Sequence, residues 1–314
     1  MHVTPATPLG PGHEFDVVRE LQRRWGTLAR GLGDDAAILD VPPGERLVVS
    51  TDSSVENVHF RRGWLTPEEI GYRATAAALS DLAAMAATPL GFVLAMALPD
   101  AWRDALPDLA DGIGAASHAC AAPIIGGDLS RGSELALTIT VLGHATAPLQ
   151  RRGARPGDVL YVTGVLGGPL AALRDFERGI APAPEHRARF AHPVPRLAEA
   201  RWLAAAGAHA AIDVSDGLVA EAGHLAAASG VRLRIALETL PRVDGVTMRD
   251  AAQSGEEYEL LVAAPPGIDV TEFARRFGVP LTAVGEVSAG DPVAEATEGG
   301  VRVDLRSGHD HFSS

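Results

Sequence analysis

Phe15, Val18, Leu21 and Trp25 recur at helical spacing and predict a helix over 15–25. A Gly-punctuated loop, "GLGDDAAIL", follows. "RLVVSTDSSVENVHF" opens as a strand that ends near Thr51. "TPEEIGYRATAAALSDLAAM" predicts a helix with Thr66 as N-cap, Pro67 first inside and Glu69 at the capping-box position. It should run to about Ala87 and stop before Pro89. "LGFVLAMALP" reads as a buried strand, 102–119 as a helix, "PIIGGDLSRG" as strand, Gly turn and polar loop, and "ELALTITVLGHA" as another strand.

A polar, turn-rich stretch at 148–156, "PLQRRGARPGD", suggests a boundary between a domain over 1–148 and one over 149–314. Beyond it, "VLYVTG" is a strand entering a Gly turn, and "GIAPAPEHRARFAHPVPR" is a long connection. "RLAEARWLAAAG" is a helix, "AAIDVSDGL" a strand ending in an acidic turn, and 218–229 a helix. "VRLRIALETLP" and 256–263 read as strands, 269–277 as a helix and "LTAVGEV" as a strand. Mixed elements in both halves predict two α/β or α+β domains. One continuous α/β domain is the competing arrangement.

Composition narrows the class. The chain has 314 residues, 46% hydrophobic and 21% charged, which suits a soluble globular protein with a substantial core. Aromatics are only 5%, so Val, Leu, Ile and Ala must fill that core. A net charge of −13 disfavours nonspecific nucleic-acid binding but not a polyphosphate ligand bound with divalent metal. Cys120 is the sole cysteine, which excludes an intramolecular disulfide; it reads as a buried helix-end residue. No signal peptide or membrane span is expected, and a reducing cytoplasm is the default.

The candidate chemistry lies in six segments where an apolar run meets Asp or Glu among small neighbours: "GLGDDAA", "VVSTDS", "LSDLAAM", "IIGGDLS", "AIDVSDGL" and "SGEEYEL". One Gly-Asp pair is ordinarily a turn, and one Asp after a strand ordinarily a helix cap. Together they set Asp34, Asp35, Asp52, Asp81, Asp128, Asp213 and Asp216 beside apolar runs, where unpaired carboxylates are costly. Metal coordination would remove that cost, and hard oxygen ligands suit Mg²⁺. Asp81 lies inside a helix; it is either a metal-bridging ligand or a carboxylate accepting hydrogen bonds from a neighbouring loop. Gly31 and Gly33, or Gly126 and Gly127, are candidates to open a phosphate loop. "VTGVLGGPLAAL" has a glycine-rich lead into a helix but not the full dinucleotide fingerprint. The chain lacks the Walker pattern and lysine, so a phosphate clamp falls to Arg151, Arg152 or Arg155, which alternatively form a solvated basic turn. His59 is either a phosphate contact or a surface histidine. There is no nucleophile elbow, zinc pattern or basic aromatic stripe.

These motifs, in this order and over nearly the whole chain, resemble the thiamine-monophosphate kinase family. "STDSSVENVHF" and "LSDLAAM" favour it over the related aminoimidazole ribonucleotide synthetases, selenophosphate synthetases and hydrogenase-maturation proteins. The resemblance implies the two-domain aminoimidazole ribonucleotide synthetase-like α/β fold and a cytoplasmic homodimer paired through its N-terminal domains. It further implies direct in-line transfer of the ATP γ-phosphoryl group to thiamine monophosphate, assisted by several Mg²⁺ ions. Position by position, Asp35, Ser50, Thr51, Asp52, Asp81, Asp128, Asp213 and Asp216 match metal-binding positions. Gly127, Asp128, Arg151 and Ser215 match ATP contacts. His59, Glu256 and His309 fall at substrate contacts, with Asp128 and Arg151 in electrostatic roles. Two departures stand out: the family usually has Glu-Asp-Tyr-Glu-Leu where this chain has Glu257 second, and an aromatic where this chain has His309. Another ATP-dependent synthetase of the superfamily and a nucleotide-binding maturation partner are the alternatives.

Three strands of the first half, "RLVVSTD", "GFVLAMALP" and "ELALTITVLG", are apolar on both faces or nearly so. They need cover from helices of the same chain or from a second copy.

Overall fold

The computed structural model describes residues 12–32 and 35–305. The chain divides into two compact units: Met1–Leu82 with Ala87–Ala147, and Ala83–Ala86 with Pro148–Ser314. Each has its own mixed sheet, the two-domain α/β class expected.

In the first unit, α1 (His13–Trp25) precedes β1 (Arg46–Val55), α2 (Pro67–Ala84), β2 (Thr88–Leu98), α3 (Leu106–Ala119), β3 (Ile124–Arg131) and β4 (Ala136–Ala145). The sheet order is β1-β4-β2-β3, antiparallel except between β2 and β3. α2 starts at the expected capping box: Thr66 Oγ1 accepts from the Glu69 amide at 3.2 Å, and Glu69 Oε2 accepts from the Thr66 amide at 2.7 Å. Two glycines let α2 and α3 touch backbone to backbone. A Cβ on Gly71 would lie 2.2 Å from the Leu109 carbonyl oxygen, and one on Gly112 would lie 1.8 Å from that of Glu68. Leu137, Ile139, Val141, Phe92 and Leu94 are buried on one face of the sheet, where a Cβ on Gly143 would meet Leu82 of α2. Alternation turns Leu47, Val49, Thr51 and Ser53 to the other face, and Leu47 and Val49 are half exposed there.

Three local expectations change. β1 continues past Thr51 to Val55 because Asp52–Val55 pair in register with Ala136–Ile139 of β4. Gly126 and Gly127 form no turn. They lie within β3, where a Cβ on Gly127 would meet the Leu94 carbonyl oxygen at 2.1 Å, so the missing side chain serves strand contact. A 3₁₀ turn, Asp100–Ala105, occupies the start of the helix expected over 102–119.

The second unit contains β5 (Val159–Thr163), α4 (Gly168–Glu177), α5 (Pro184–Ala191), α6 (Leu197–Ala205), β6 (Ala210–Asp213) and α7 (Leu218–Ser229). β7 (Arg232–Ala236), α8 (Met248–Gln253), β8 (Leu260–Ala264), α9 (Val270–Phe277), β9 (Leu281–Ser288), β10 (Ala294–Glu298) and β11 (Val301–Val303) complete it. The sheet runs β11-β10-β7-β9-β5-β8-β6, with β7 and β10 parallel and the other neighbours antiparallel. Leu160, Val162, Ile212, Leu233, Ile235, Leu261 and Val284 build its core with Leu218, Leu225 and Ala251. The connection expected over 179–196 contains α5. Residues 256–259 form a turn, and the strand starts at Leu260. Among the described residues, no helix is long and apolar enough to cross a membrane.

Candidate functional site

In the first unit, β1 carries a polar stripe on the helix-covered side of the sheet. Ser50 pairs with Val141 and Asp52 with Ile139, both core residues. Ser50 Oγ donates to Asp81 Oδ2 of α2 at 2.5 Å. Ser50 and Asp52 are two residues apart on one face of a strand, so their Cα atoms are separated by about 7 Å. Asp81 therefore joins the stripe at Ser50, giving two carboxylates and a hydroxyl on one side of the sheet. The stripe supplies hard oxygen atoms, the ligand type that a small divalent cation takes, with a bound phosphate and water as the usual remaining ligands.

The pleat separates other expected ligands. Thr51 faces the open side, where its Oγ1 lies 2.9 Å from that of Thr140. Asp128 is exposed, and its row across β3, β2 and β4 is Asp128–Ala95–Thr138. Thr138 Oγ1 meets Ser53 Oγ at 2.9 Å, so Asp128 belongs to that open side. Asp35 is exposed. Among the described residues, no group of three His, Cys, Asp or Glu side chains forms a metal-binding cluster.

His59 follows β1 in a tight turn. The Asn57 amide donates to the Phe60 carbonyl at 2.7 Å, and the His59 amide to that of Val55 at 2.9 Å. The Val55 amide donates to His59 Nδ1 at 3.1 Å, which leaves the proton of a neutral ring on Nε2.

In the second unit, Asp213 ends β6 and is buried. The loop after it is held by Glu221 of α7. Glu221 Oε1 accepts from Ser215 Oγ at 3.1 Å and from the Asp216 amide at 3.2 Å. Burial raises the Glu221 pKa, and these two donors partly offset it. The 254–259 turn is hydrogen-bonded to the same loop. The amides of Glu256, Glu257 and Tyr258 donate to the carbonyls of Ser215, Val214 and Val214 at 2.6, 3.1 and 2.9 Å. Glu256 also accepts from the Tyr258 hydroxyl at 2.6 Å.

Beneath this turn lies a buried ion network. Arg196 donates to both oxygens of Glu259, at 2.7 and 2.6 Å, and Thr163 Oγ1 adds a third donor at 2.7 Å. Arg189 Nη2 reaches Glu259 at 3.0 Å and Glu257 at 3.4 Å. Burial alone would raise the Glu259 pKa, but Arg196, Arg189 and Thr163 outweigh it and hold it below the ordinary carboxylate value. Burial pushes Glu257 up to about 7, against the pull of Arg189, Ser254 and the Gly167 amide. Arg151 is exposed, on a loop whose Arg151 carbonyl, Gly153 amide and Ala154 amide all bond Ser229 Oγ.

Comparison with known proteins follows the same two-part division. Residues 33–145 match the family model "AIR synthase related protein, N-terminal domain", and residues 155–296 match "AIR synthase related protein, C-terminal domain". The thiamine-monophosphate kinase of Salmonella typhimurium is 35% identical over 320 residues, covering 96% of each chain. The chain belongs to the thiamine-monophosphate kinase family. The solved thiamine-monophosphate kinase from Stenotrophomonas maltophilia is 32% identical, with a TM-score of 0.81 over 93% of this chain and 98% of that one. The structure described as AaThiL complexed with AMPPCP and TMP is 25% identical, with a TM-score of 0.76 over 95% of this chain and 97% of that one.

Among the residues matched to the thiamine-monophosphate kinase family, contacts join Ser50 to Asp81, and the Ser215 carbonyl to the Glu256 amide. His309 and Asp34 lie outside the described residues. Glu221, Glu259, Arg189 and Arg196 are not among the residues that the motifs single out. A usable signal existed: a Glu-Tyr-Glu run entering an all-apolar strand needs buried partners, and the Pro-rich connection holds the arginines that supply them.

Proposed function

We propose that the chain transfers the γ-phosphoryl group of ATP to the phosphate of thiamine monophosphate, giving thiamine diphosphate and ADP. The observation that carries this reading is the Ser50–Asp81 contact on the face shared with Asp52, in a chain similar along nearly its whole length to thiamine-monophosphate kinases. A relative holding AMPPCP and TMP supports a nucleotide and TMP as the ligand pair.

Mg²⁺ is the proposed metal, with Asp52 and Asp81 as principal ligands and Ser50 orienting Asp81. One or two protein carboxylates plus substrate phosphates is the usual Mg²⁺ arrangement. When bound, the ion neutralises phosphate charge and aligns the reacting groups. Asp35, Thr51, Asp128, Asp213 and Asp216 are proposed as ligands of further Mg²⁺ ions. Asp128 would act from the open side of its sheet and Asp213 from the end of β6.

The acceptor phosphate is already anionic at neutral pH, so the chain needs no strong general base. Its residues hold and screen two anionic reactants. Arg151 supplies positive charge to the nucleotide phosphates. Gly127 and Ser215 contact ATP. His59 and Glu256 contact thiamine monophosphate, with His309 as a further contact.

The same reading includes a cytoplasmic homodimer with no nucleic-acid or membrane partner. Leu47 and Val49 on the open face of the first unit's sheet support a second copy as its cover. Product analysis over a panel of phosphorylated acceptors tests the function. Thiamine diphosphate with one ADP per turnover is expected. ATP consumption with only other acceptors would instead identify a synthetase of the superfamily.

A further inference from the structure

A loop and a helix of the second unit meet on one buried acid, Glu257, whose side chain has no solvent exposure. Its Oε1 accepts the Gly167 amide at 2.5 Å, at the start of α4. Its Oε2 faces Arg189 of α5 at 3.4 Å. The other charged groups of this pocket are Glu259, Arg196 and Glu199, linked through Arg189 and Arg196.

The backbone on either side of Glu257 is strained. Glu256 has φ 61° and Tyr258 φ 53°, both in the left-handed region that bulky residues rarely occupy. Such a turn persists only where its surroundings over-determine it. One face is held by the three amides donated to Val214 and Ser215. The approach there is close: a Cβ on Gly255 would lie 2.6 Å from the Ser215 carbonyl oxygen. The opposite face is held by the Glu257 carboxyl group. Gly167, at φ 101°, offers its amide from a loop with little room to move, since a Cβ there would meet Val246 at 2.6 Å.

We propose that Glu257 is a positioning residue for phosphoryl transfer. Its carboxyl group ties the strained Glu256–Tyr258 turn to the Gly167 loop, and the turn in turn fixes Asp213–Ser215. This rests on the proposed role of Asp213, Ser215 and Glu256 toward the two phosphorylated ligands. Glu257 itself touches neither ligand and carries no proton in the reaction. Its longer side chain, where the family usually has Asp, gives the carboxyl group the reach to the Gly167 amide.

The test compares wild type with Glu257→Gln, which keeps an acceptor for Gly167, and Glu257→Met, which fills the space without one. Near-ultraviolet circular dichroism first verifies that both are folded. Steady-state kinetics with Mg-ATP and thiamine monophosphate should show kcat/KM about 100-fold lower for Glu257→Met. Glu257→Gln should recover it to within about tenfold of wild type. A residue serving stability alone would lower the thermal midpoint of Glu257→Met and leave kcat of the folded fraction unchanged. Hydrogen exchange needs no turnover and separates this proposal from the choice of substrate. Glu257→Met should exchange faster at 164–170 and at 213–217, and Glu257→Gln should not. The proposal is overturned if folded Glu257→Met matches wild type in kcat/KM, if Glu257→Gln is as impaired as Glu257→Met, or if exchange rises at neither segment. If Glu257→Met does not fold, the exchange and kinetics of Glu257→Gln decide. Wild-type protection and near-wild-type kcat/KM uphold the hydrogen-bond tie, and their loss overturns it.

Discussion

The Ser50 hydroxyl donates to the Asp81 carboxylate at 2.5 Å, joining an edge strand to the helix that covers its sheet. The bond fixes one carboxylate oxygen and leaves the other oriented by it. A carboxylate so oriented behaves like a metal ligand with an outer partner, and loss of such a partner commonly costs about 10- to 100-fold in metal affinity or activity. Ser50→Ala should therefore raise the Mg²⁺ concentration needed for half-maximal turnover by about that factor. Asp81→Asn should lower kcat further, with the fold intact. An Mg²⁺ titration of initial rates measures both effects; unchanged titrations would remove the pair from the metal site.

Glu257 should also give stability a distinctive pH dependence. Its pKa rises from the ordinary 4.5 to about 7 on folding, chiefly through burial. Below the unfolded value both states hold the proton and its contribution is fully present. Between the two values only the folded state holds it, so stability falls as pH rises. Above the folded value the loss is complete, at roughly 3 kcal/mol. Glu257→Gln removes this titration. Urea unfolding at about pH 5 and about pH 8 should show the wild type losing roughly 2–3 kcal/mol more than the variant across the interval. Parallel pH dependences would contradict the buried, protonatable state of Glu257.

Most elements of the fold were legible because their signals are local. The Thr66–Glu69 capping box and the Leu218–Ser229 helix carry their own punctuation, and the strands of both sheets announce themselves by apolar runs. The Gly126–Gly127 pair misled because glycine serves two ends: it permits a turn, and it permits close backbone contact, which is its use beside Leu94. Glu256–Glu259 resembled the start of a strand because it runs straight into the apolar stretch from Leu260 to Ala264. Only the distant Arg189, Arg196 and Gly167 reveal why those residues turn inward. The aspartates were legible as a group, whereas the side of the sheet each one faces depends on register with β4 and β2.

The Glu259 network yields a separate prediction. Glu259 is buried and accepts from Arg196, Arg189 and Thr163. Glu259→Ala would strand two partly or wholly buried guanidinium groups and should cost about 3–5 kcal/mol of stability. Chemical denaturation measures this. A loss under about 1 kcal/mol would show that the network adds little to the second unit.

The open face of the first unit's sheet should fail as an interface when charged. Val49 is 54% exposed there, beside Leu47 at 50%. Val49→Glu adds a charge to each of two symmetric copies, so the variant should sediment at the mass of one 32.6 kDa chain at concentrations where the wild type has twice that mass. Equal masses for the two proteins would place any self-association elsewhere.

The proposed reaction is transfer of the terminal phosphoryl group of ATP to thiamine monophosphate. Mass spectrometry of the product formed from ATP carrying ¹⁸O in its γ-phosphoryl group tests it most directly. Thiamine diphosphate is expected to carry the labelled oxygens on its terminal phosphorus, formed in step with unlabelled ADP and only when Mg²⁺ is present. Release of the label as inorganic phosphate, with no labelled thiamine diphosphate, would contradict it.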